Sequence, residues 1–428
     1  MTRDDVPARF LWLPPGLRPP VEMPYRTERV FLLVGMAALF AGYDMNVYGL
    51  AIPQIQASLH IPENQVGPIV FYFRLATIVA MLISASADLV GRRRLLLVTI
   101  FGQAIFTLAT AFSADTAQFL GAQILTRVFG YAEEMLCFVV ISEEVAAGAR
   151  GWANGTISAL DYIGAGLASL VFAAVTLLPY GWRSMYVIGA VPLLVVGFLR
   201  RRLPETQRFA IKEKGAVAVS RLQETLALLR ALARDYPGRV ATILAAVAAF
   251  GFAEGPATVL AQKYLQSSLH YSPGQVTLLL VPGGLIGLAL TIATGRISDR
   301  IGRRPAAMIM AGLMGLCFWL FFSPIPSWAV PPLWVLAFWG FFSGSALMAG
   351  FALEIVPTQY RATVSGLRYM VEIGMGGIAL LLEGPLYDHF GAHGPAIRVC
   401  LLTIPVTLAA LLLLPQPAGR SLEEMAGN

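Results

Sequence analysis

The sequence predicts an all-α integral membrane protein in which twelve transmembrane helices form two six-helix halves related by an internal repeat. Three observations predict it. The chain is 57% hydrophobic and only 13% charged, with a mean hydropathy of +0.68; soluble domains carry about a quarter charged residues, so the solvent is lipid. Apolar runs long enough to cross about 30 Å of hydrocarbon as helices recur along the whole chain. The chain is also duplicated: Ser84 to Arg93 returns as Gly295 to Arg304, with Asp88 matching Asp299, Gly91 matching Gly302, and Arg92 and Arg93 matching Arg303 and Arg304. The same offset carries Glu143 to Glu354, Arg150 to Arg361 and Asp161 to Glu372. An offset one residue shorter carries Asp44 to Glu254. Polar matches kept in one order over such a length mark a true repeat.

Residues 1–28 are polar and proline-rich, without a short apolar core and small-residue cleavage site, and read as a cytoplasmic tail. The first half, 29–202, holds spans near 29–52, 65–87, 94–113, 117–141, 153–178 and 184–201. A charged cytoplasmic linker, 203–238, precedes the second half, 239–415, with spans near 239–262, 274–295, 306–323, 331–352, 363–386 and 396–414. Residues 416–428 form a C-terminal tail. Each backbone amide must be satisfied inside lipid, so the spans are helices.

The lysines and arginines set the orientation. Only Arg183, Lys263 and Arg398 fall on the side opposite the termini, and Arg74, Arg127 and Arg368 fall inside spans; all the others, Arg200 included, are assigned to loops and tails on the termini's side. That asymmetry places both termini in the cytoplasm of a plasma (inner) membrane protein. It also accounts for the net charge of +6 without any nucleic-acid partner. Cys137, Cys317 and Cys400 lie in apolar runs and read as small buried hydrophobes rather than disulfides or metal ligands.

The two Asp-x-x-Gly-Arg-Arg loops after spans two and eight resemble the signature of the major facilitator superfamily. Arg127-x-x-Gly130, Gly181-Trp182-Arg183, Leu203-Pro204-Glu205-Thr206, Glu354-x-x-Pro357-x-x-x-Arg361 and Gly419-Arg420-Ser421-Leu422-Glu423-Glu424 narrow the likeness to its sugar-porter, metabolite–proton symporter and organic-ion branch. Leu89 and Ser84 depart from the pattern and make the first copy the weaker one. An aspartate ending one helix can accept from the amides that open the next and from an arginine, while glycine permits the tight turn between them. The resemblance implies that Asp88, Gly91, Arg92, Arg93, Asp299, Gly302, Arg303 and Arg304 form a conformational latch, with Glu143, Arg150, Glu354 and Arg361 as companions.

Charge at mid-membrane costs roughly 2.5–3.5 kcal/mol on insertion scales, so each such residue needs a partner, a cavity or a task. By position these are Asp44, Arg74, Arg127, Glu133, Glu134, Asp161, Glu254, Arg368 and Glu372. Parallel repeats place equivalent residues on opposite walls of a central cavity, so Asp44 and Glu254, and Asp161 and Glu372, are expected to face one another. Span one resembles the proton-coupling helix of symporters. Asp44 is expected to pair with Arg127, a pair that protonation would break, and Glu133 is grouped with them as proton-coupling. Adjacent and so about 100° apart on one helix, Glu133 and Glu134 are expected to divide, one facing the cavity and the other a neighbouring helix, with either assignment open.

The remaining intramembrane charges, with Tyr43, Asn46, Tyr48 and Tyr162, are the expected substrate-binding set. Span seven lacks the glutamine pair, and span five the glutamine, by which sugar porters hold hydroxyls, so sugars are disfavoured. The acidic excess and the tyrosines favour an organic cation or zwitterion. The expected function is proton-coupled symport of a small organic metabolite by alternating access, with organic-anion or sugar symport, uniport and carrier-like sensing as alternatives. No His-Glu-x-x-His or Cys-x-x-Cys is present, which argues against an enzyme or metal site. The expected partners are the small-molecule substrate, protons and the lipid bilayer; the chain is expected to be a monomer, with the proton gradient and no cofactor as its energy source.

Overall fold

The computed structural model describes residues 10, 18–201, 227–228, 230–232, 234–354 and 356–414. Most of both tails and of the segment 203–238, with the Leu203 and Gly419 motifs, lies outside the described residues, as does the side chain of Asp88. Two compact units are present. The first comprises Met1–Ile61 and Leu75–Val219, the second Pro62–Arg74 and Ser220–Asn428. The opening turns of span two therefore pack with the second unit.

The first unit holds α1 (Tyr25–Leu59), most of α2 (Val66–Ala85), a single turn α3 (Ala87–Val90), α4 (Arg92–Ala111), α5 (Thr116–Glu144), α6 (Arg150–Ala173) and α7 (Trp182–Arg200). The second holds α8 (Pro237–Val259), α9 (Ala261–Ser267), α10 (Pro273–Ile301), α11 (Arg303–Phe321), α12 (Val330–Glu354), α13 (Arg361–Phe390), α14 (His393–Leu401) and α15 (Ile404–Leu413). Eleven of the described segments are long and apolar enough to cross a membrane. The twelfth span is α5, 29 residues long and more polar than the rest, carrying Arg127, Glu133, Glu134 and two terminal glutamates besides Gln118 and Gln123.

Lipid explains the lengths, and proline explains the breaks. At 35 residues α1 is about 52 Å long. It bends at Ala51 (φ −101°, ψ 15°) because Pro53, two residues on, cannot donate to the preceding turn. Span twelve is two helices rather than one: Pro405 sits in the first turn of α15, and Thr403 at the break donates its hydroxyl to Ala249 O of α8 at 2.8 Å. Against the expectation of a wholly polar tail, Phe10 is buried, edge-on to Phe31 and Trp152 with centroids 6.0 and 5.7 Å apart.

Helix packing repeats between the units. In the first, α1 packs on α6 and α7, and α4 on α5 and α7; in the second, α8 packs on α13 and α15, and α11 on α12 and α15. The loop contacts repeat as well. Arg92 donates to Glu143 Oε1 at 3.1 Å, and Arg303 to Glu354 Oε1 at 3.1 Å. Arg93 donates to Arg201 O at 2.6 Å; its counterpart Arg304 donates to Leu412 O at 3.4 Å and Leu414 O at 2.8 Å. Asp299 Oδ1 receives Arg303 at 3.1 Å, and Arg361 Nε donates to Leu353 O at 3.1 Å, while Arg150 opens α6. Each set of contacts ties a helix–helix turn to helix ends of its own unit.

Gly91 and Gly302 adopt nearly one conformation, φ 102° ψ 142° and φ 95° ψ 149°, reserved for residues without Cβ. Gly302→Ala and Gly91→Ala should each cost about 1–3 kcal/mol and lower the midpoint of thermal unfolding in detergent. Gly312→Ala, where a Cβ meets nothing within 4 Å in α11, should gain about 0.5–1 kcal/mol. Equal midpoints for Gly302→Ala and Gly312→Ala would contradict this account of the turn.

Candidate functional site

Two glycines fix where the intramembrane acids stand. A Cβ on Gly42 of α1 would run into the carbonyl of Asp161 on α6, and one on Gly164 would run into that of Leu39. In the second unit a Cβ on Gly251 of α8 would meet the carbonyl of Glu372 on α13, and one on Gly255 that of Gly376. Backbone lies on backbone at both places, which small residues permit. The matched acids Asp161 and Glu372 thus occupy matched places beside the helices that carry Asp44 and Glu254.

In the first unit Asp44 is 2% exposed. Its Oδ2 accepts from Thr107 Oγ1 at 2.8 Å and Gln103 Nε2 at 3.2 Å, both on α4, while Oδ1 is buried without a hydrogen-bond partner. The hydrogen bonds to Asp44 come from these neutral donors, with Arg127 close enough to act on it by charge. Arg127 instead donates to Met45 Sδ at 3.3 Å. Tyr43 and Tyr48 are buried, Tyr43 donating to Met185 O at 3.0 Å and Tyr48 lying against Phe119, so both hold helices together. Asn46 is exposed and donates to Gly42 O at 2.8 Å.

Glu133 and Glu134 both line one cavity of the first unit but differ in burial and partners. Glu133 is fully buried, ion-paired with Arg200 of α7, and accepts from Thr99 Oγ1 at 2.6 Å. Arg200 also donates to Leu33 O at 3.3 Å. This corrects one assignment: Arg200 is a buried helix residue paired with Glu133, not a loop charge. Glu134 is exposed, and with Asp161 and the half-exposed Tyr162 it lines a cavity of about 110 Å³ between α1, α5 and α6. Neither Glu134 nor Asp161 makes an ion pair among the described residues.

The second unit distributes charge differently. Arg74 donates to Glu254 Oε1 at 3.5 Å and to Ile373 O at 3.1 Å, and Thr258 donates to Glu254 Oε2 at 3.1 Å. Arg368 pairs with Glu372, whose Oε1 also accepts from Ser345 Oγ at 2.7 Å. Both acids here are matched by arginines.

Sequence reasoning also passed over a group formed by the partly exposed Glu63 with the buried Lys263, Glu383 and His393 in this unit. Glu383 lies inside the expected span 363–386 and is 0% exposed. A carboxylate within an apolar run was the signal that could have found it.

The sequence profile described as Major Facilitator Superfamily matches residues 34–379. The chain belongs to this superfamily. It is 25% identical over 412 residues to a probable 4-methylmuconolactone transporter of Cupriavidus pinatubonensis, an alignment covering 90% of this chain and 89% of that one. It is 24% identical over 450 residues to a gallate transporter of Pseudomonas putida, covering 94% of this chain and 98% of that one. Among solved structures it resembles a D-xylose-proton symporter with a TM-score of 0.72 at 16% identity, covering 92% of this chain and 99% of that one. The protein is a multi-pass membrane transporter of this superfamily and not an enzyme.

Removing one partner of a buried ion pair strands the other charge. Arg200→Met should therefore cost about 3–5 kcal/mol, read as lost thermal stability in detergent. Arg200→Met combined with Glu133→Leu should recover most of it. A double variant no more stable than the single one would show that the pair is not what the site depends on.

Proposed function

We propose that this transporter couples inward proton movement to uptake of a small organic cation or zwitterion, with Asp44 as the proton carrier and Glu134 and Asp161 as the ammonium-binding pair. The observation that carries the reading is the acid-lined cavity of the first unit. Glu133, Glu134 and Asp161 line it with Phe138 and Tyr162. Glu133 is paired with Arg200 behind the wall, whereas Glu134 and Asp161 have no ion pair among the described residues, and Glu254 and Glu372 in the second unit have arginines. A ligand ammonium would supply the missing charge, and the face of Tyr162 would add a cation–π contact worth about 0.5–2 kcal/mol. Cytoplasmic termini, inner-membrane location, a monomeric state and closure through the Asp299 latch belong to the same proposal.

Asp44 suits proton exchange because its hydrogen-bond partners are neutral. Thr107 and Gln103 can donate to the carboxylate, and Gln103 can turn its carbonyl to accept from the carboxyl group. Gain or loss of a proton then rearranges contacts between α1 and α4 without leaving an arginine stranded in the core.

A second reading is favoured by the names of the relatives, one a muconolactone and one a gallate transporter. On it, protonation of Glu372 or Glu254 frees Arg368 or Arg74 for a substrate carboxylate. A zwitterion satisfies both readings.

Calorimetric titration of the purified protein with a matched aromatic amine, amino acid and carboxylic acid separates them. Glu134→Gln and Asp161→Asn should each weaken the amine and the amino acid roughly tenfold or more, equivalent to about 1.4 kcal/mol, and leave the carboxylic acid unaffected. Binding of the carboxylic acid alone, abolished by Arg368→Ala, would establish the second reading instead. In proteoliposomes, Asp44→Asn should retain substrate exchange but lose accumulation driven by an acidic exterior. Full accumulation in that variant would remove Asp44 from coupling.

A further inference from the structure

Away from Asp44 and the acid pair, the second unit gathers four ionisable side chains, three of them buried and the fourth, Glu63, partly exposed. His393, 9% exposed, opens α14, and Glu383 stands near the end of α13. Lys263, 1% exposed, lies on α9, and Glu63 starts the helical turn Glu63–Gln65 that leads into α2. The imidazole has a carboxylate on each side. Its Nδ1 is 2.5 Å from Glu383 Oε1, and its Nε2 is 2.9 Å from Glu63 Oε2, the oxygen to which Lys263 also donates.

The protons can be counted from this geometry. An oxygen that accepts from an ammonium is a carboxylate oxygen, so Nε2 beside it carries hydrogen. A neutral imidazole has only that one N–H. The contact between Nδ1 and Glu383 Oε1 then needs a further proton, because two lone pairs facing one another at 2.5 Å would repel.

The other groups around the ring do not supply it. Tyr387 of α13 lies over the imidazole with ring centroids 4.5 Å apart, and Asp388 accepts from Asn64 at 3.0 Å. On α14, Arg398 turns to Ser323 Oγ and the Trp319 ring, and Cys400 is buried; Tyr264 of α9 packs on Phe321 and Phe322. Glu383 Oε2 is buried with no hydrogen-bond partner.

We propose that His393 and Glu383 form a proton-binding site, separate from Asp44, whose occupancy fixes Glu63 and with it the first turn of α2 against α13 and α14. With the proton in place, Lys263, Glu63, His393 and Glu383 make one continuous chain of charge-assisted hydrogen bonds. When it leaves, Nδ1 and Glu383 repel, the ring gives up its position, and Glu63 loses its contact with the imidazole. The helix contact at stake has no slack: a Cβ on Gly67 would meet Leu380 O, and one on Gly384 would meet Asn64 O. The site depends on no property of the transported substrate, so it stands or falls apart from the functional proposal.

The test uses full-length protein in lipid nanodiscs with isotope-labelled histidine. Four ring signals are expected, from His60, His270, His389 and His393, with His393→Gln to assign the last. At about pH 7, where an unperturbed histidine is mostly neutral, the His393 ring of the unaltered protein should carry hydrogen on both nitrogens. In Glu383→Gln, whose amide can itself donate to Nδ1, it should carry hydrogen on Nε2 alone. Asp44→Asn should leave the signal unchanged. Hydrogen exchange over residues 62–70, corrected for intrinsic pH dependence, should quicken several-fold in the unaltered protein as pH rises and stay slow in Glu383→Gln. A singly protonated His393 ring in the unaltered protein overturns the site, and that spectrum decides even if Glu383→Gln fails to fold. Exchange that does not respond to pH overturns the control over α2.

Discussion

Backbone-to-backbone contact at Gly42 and Gly251 is the constraint from which the rest of the two units follows. In lipid there is little hydrophobic force to hold one helix against another, so close approach and internal polar contacts must do it. Once α1 lies on α6 with no side chain between them, Asp161 stands beside the helix that carries Asp44, and Glu134 on α5 completes the cavity wall. Once α8 lies on α13, Glu372 stands beside the helix of Glu254. A side chain at either glycine would push the helices apart and scatter the acids.

Duplication preserved the scaffold and released the chemistry. The turn glycines, the Arg92–Glu143 and Arg303–Glu354 pairs and the arginine-to-carbonyl contacts of Arg93 and Arg304 recur at equivalent positions. The acids recur too, but their partners do not. Asp44 is held by a threonine and a glutamine, Glu254 by an arginine; Asp161 has no ion-pair partner among the described residues, while Glu372 has Arg368. Of these matched acids, the two in the second unit have arginine partners and the two in the first have no ion pair among the described residues.

The fold was legible because lipid enforces it: span lengths follow from bilayer thickness, helicity from backbone hydrogen bonding, and the two halves from polar residues at a fixed offset. Partners were less legible, because a side chain on one helix chooses among several neighbours whose facing the linear order does not encode. Arg200 is the last residue of its span and counted as a loop charge, yet it turns inward to Glu133. Arg127 and Asp44 agree in depth, yet a methionine sulfur and two neutral donors intervene. Tyr43, Tyr48 and Tyr162 looked equivalent, and only Tyr162 opens onto the acid pair.

The polarity of α5 also bears on how the chain is made. A helix with Arg127, Glu133 and Glu134 near its middle would leave a translocon reluctantly, each charge costing about 2.5–3.5 kcal/mol on insertion scales. The cation that neutralises Glu133 is Arg200, the last residue of α7, synthesised two helices later. Until α7 emerges, α5 has no route to charge balance at Glu133. The first unit is therefore expected to enter the bilayer as a group, α5 waiting beside the translocon until the residue that completes its ion pair has been made.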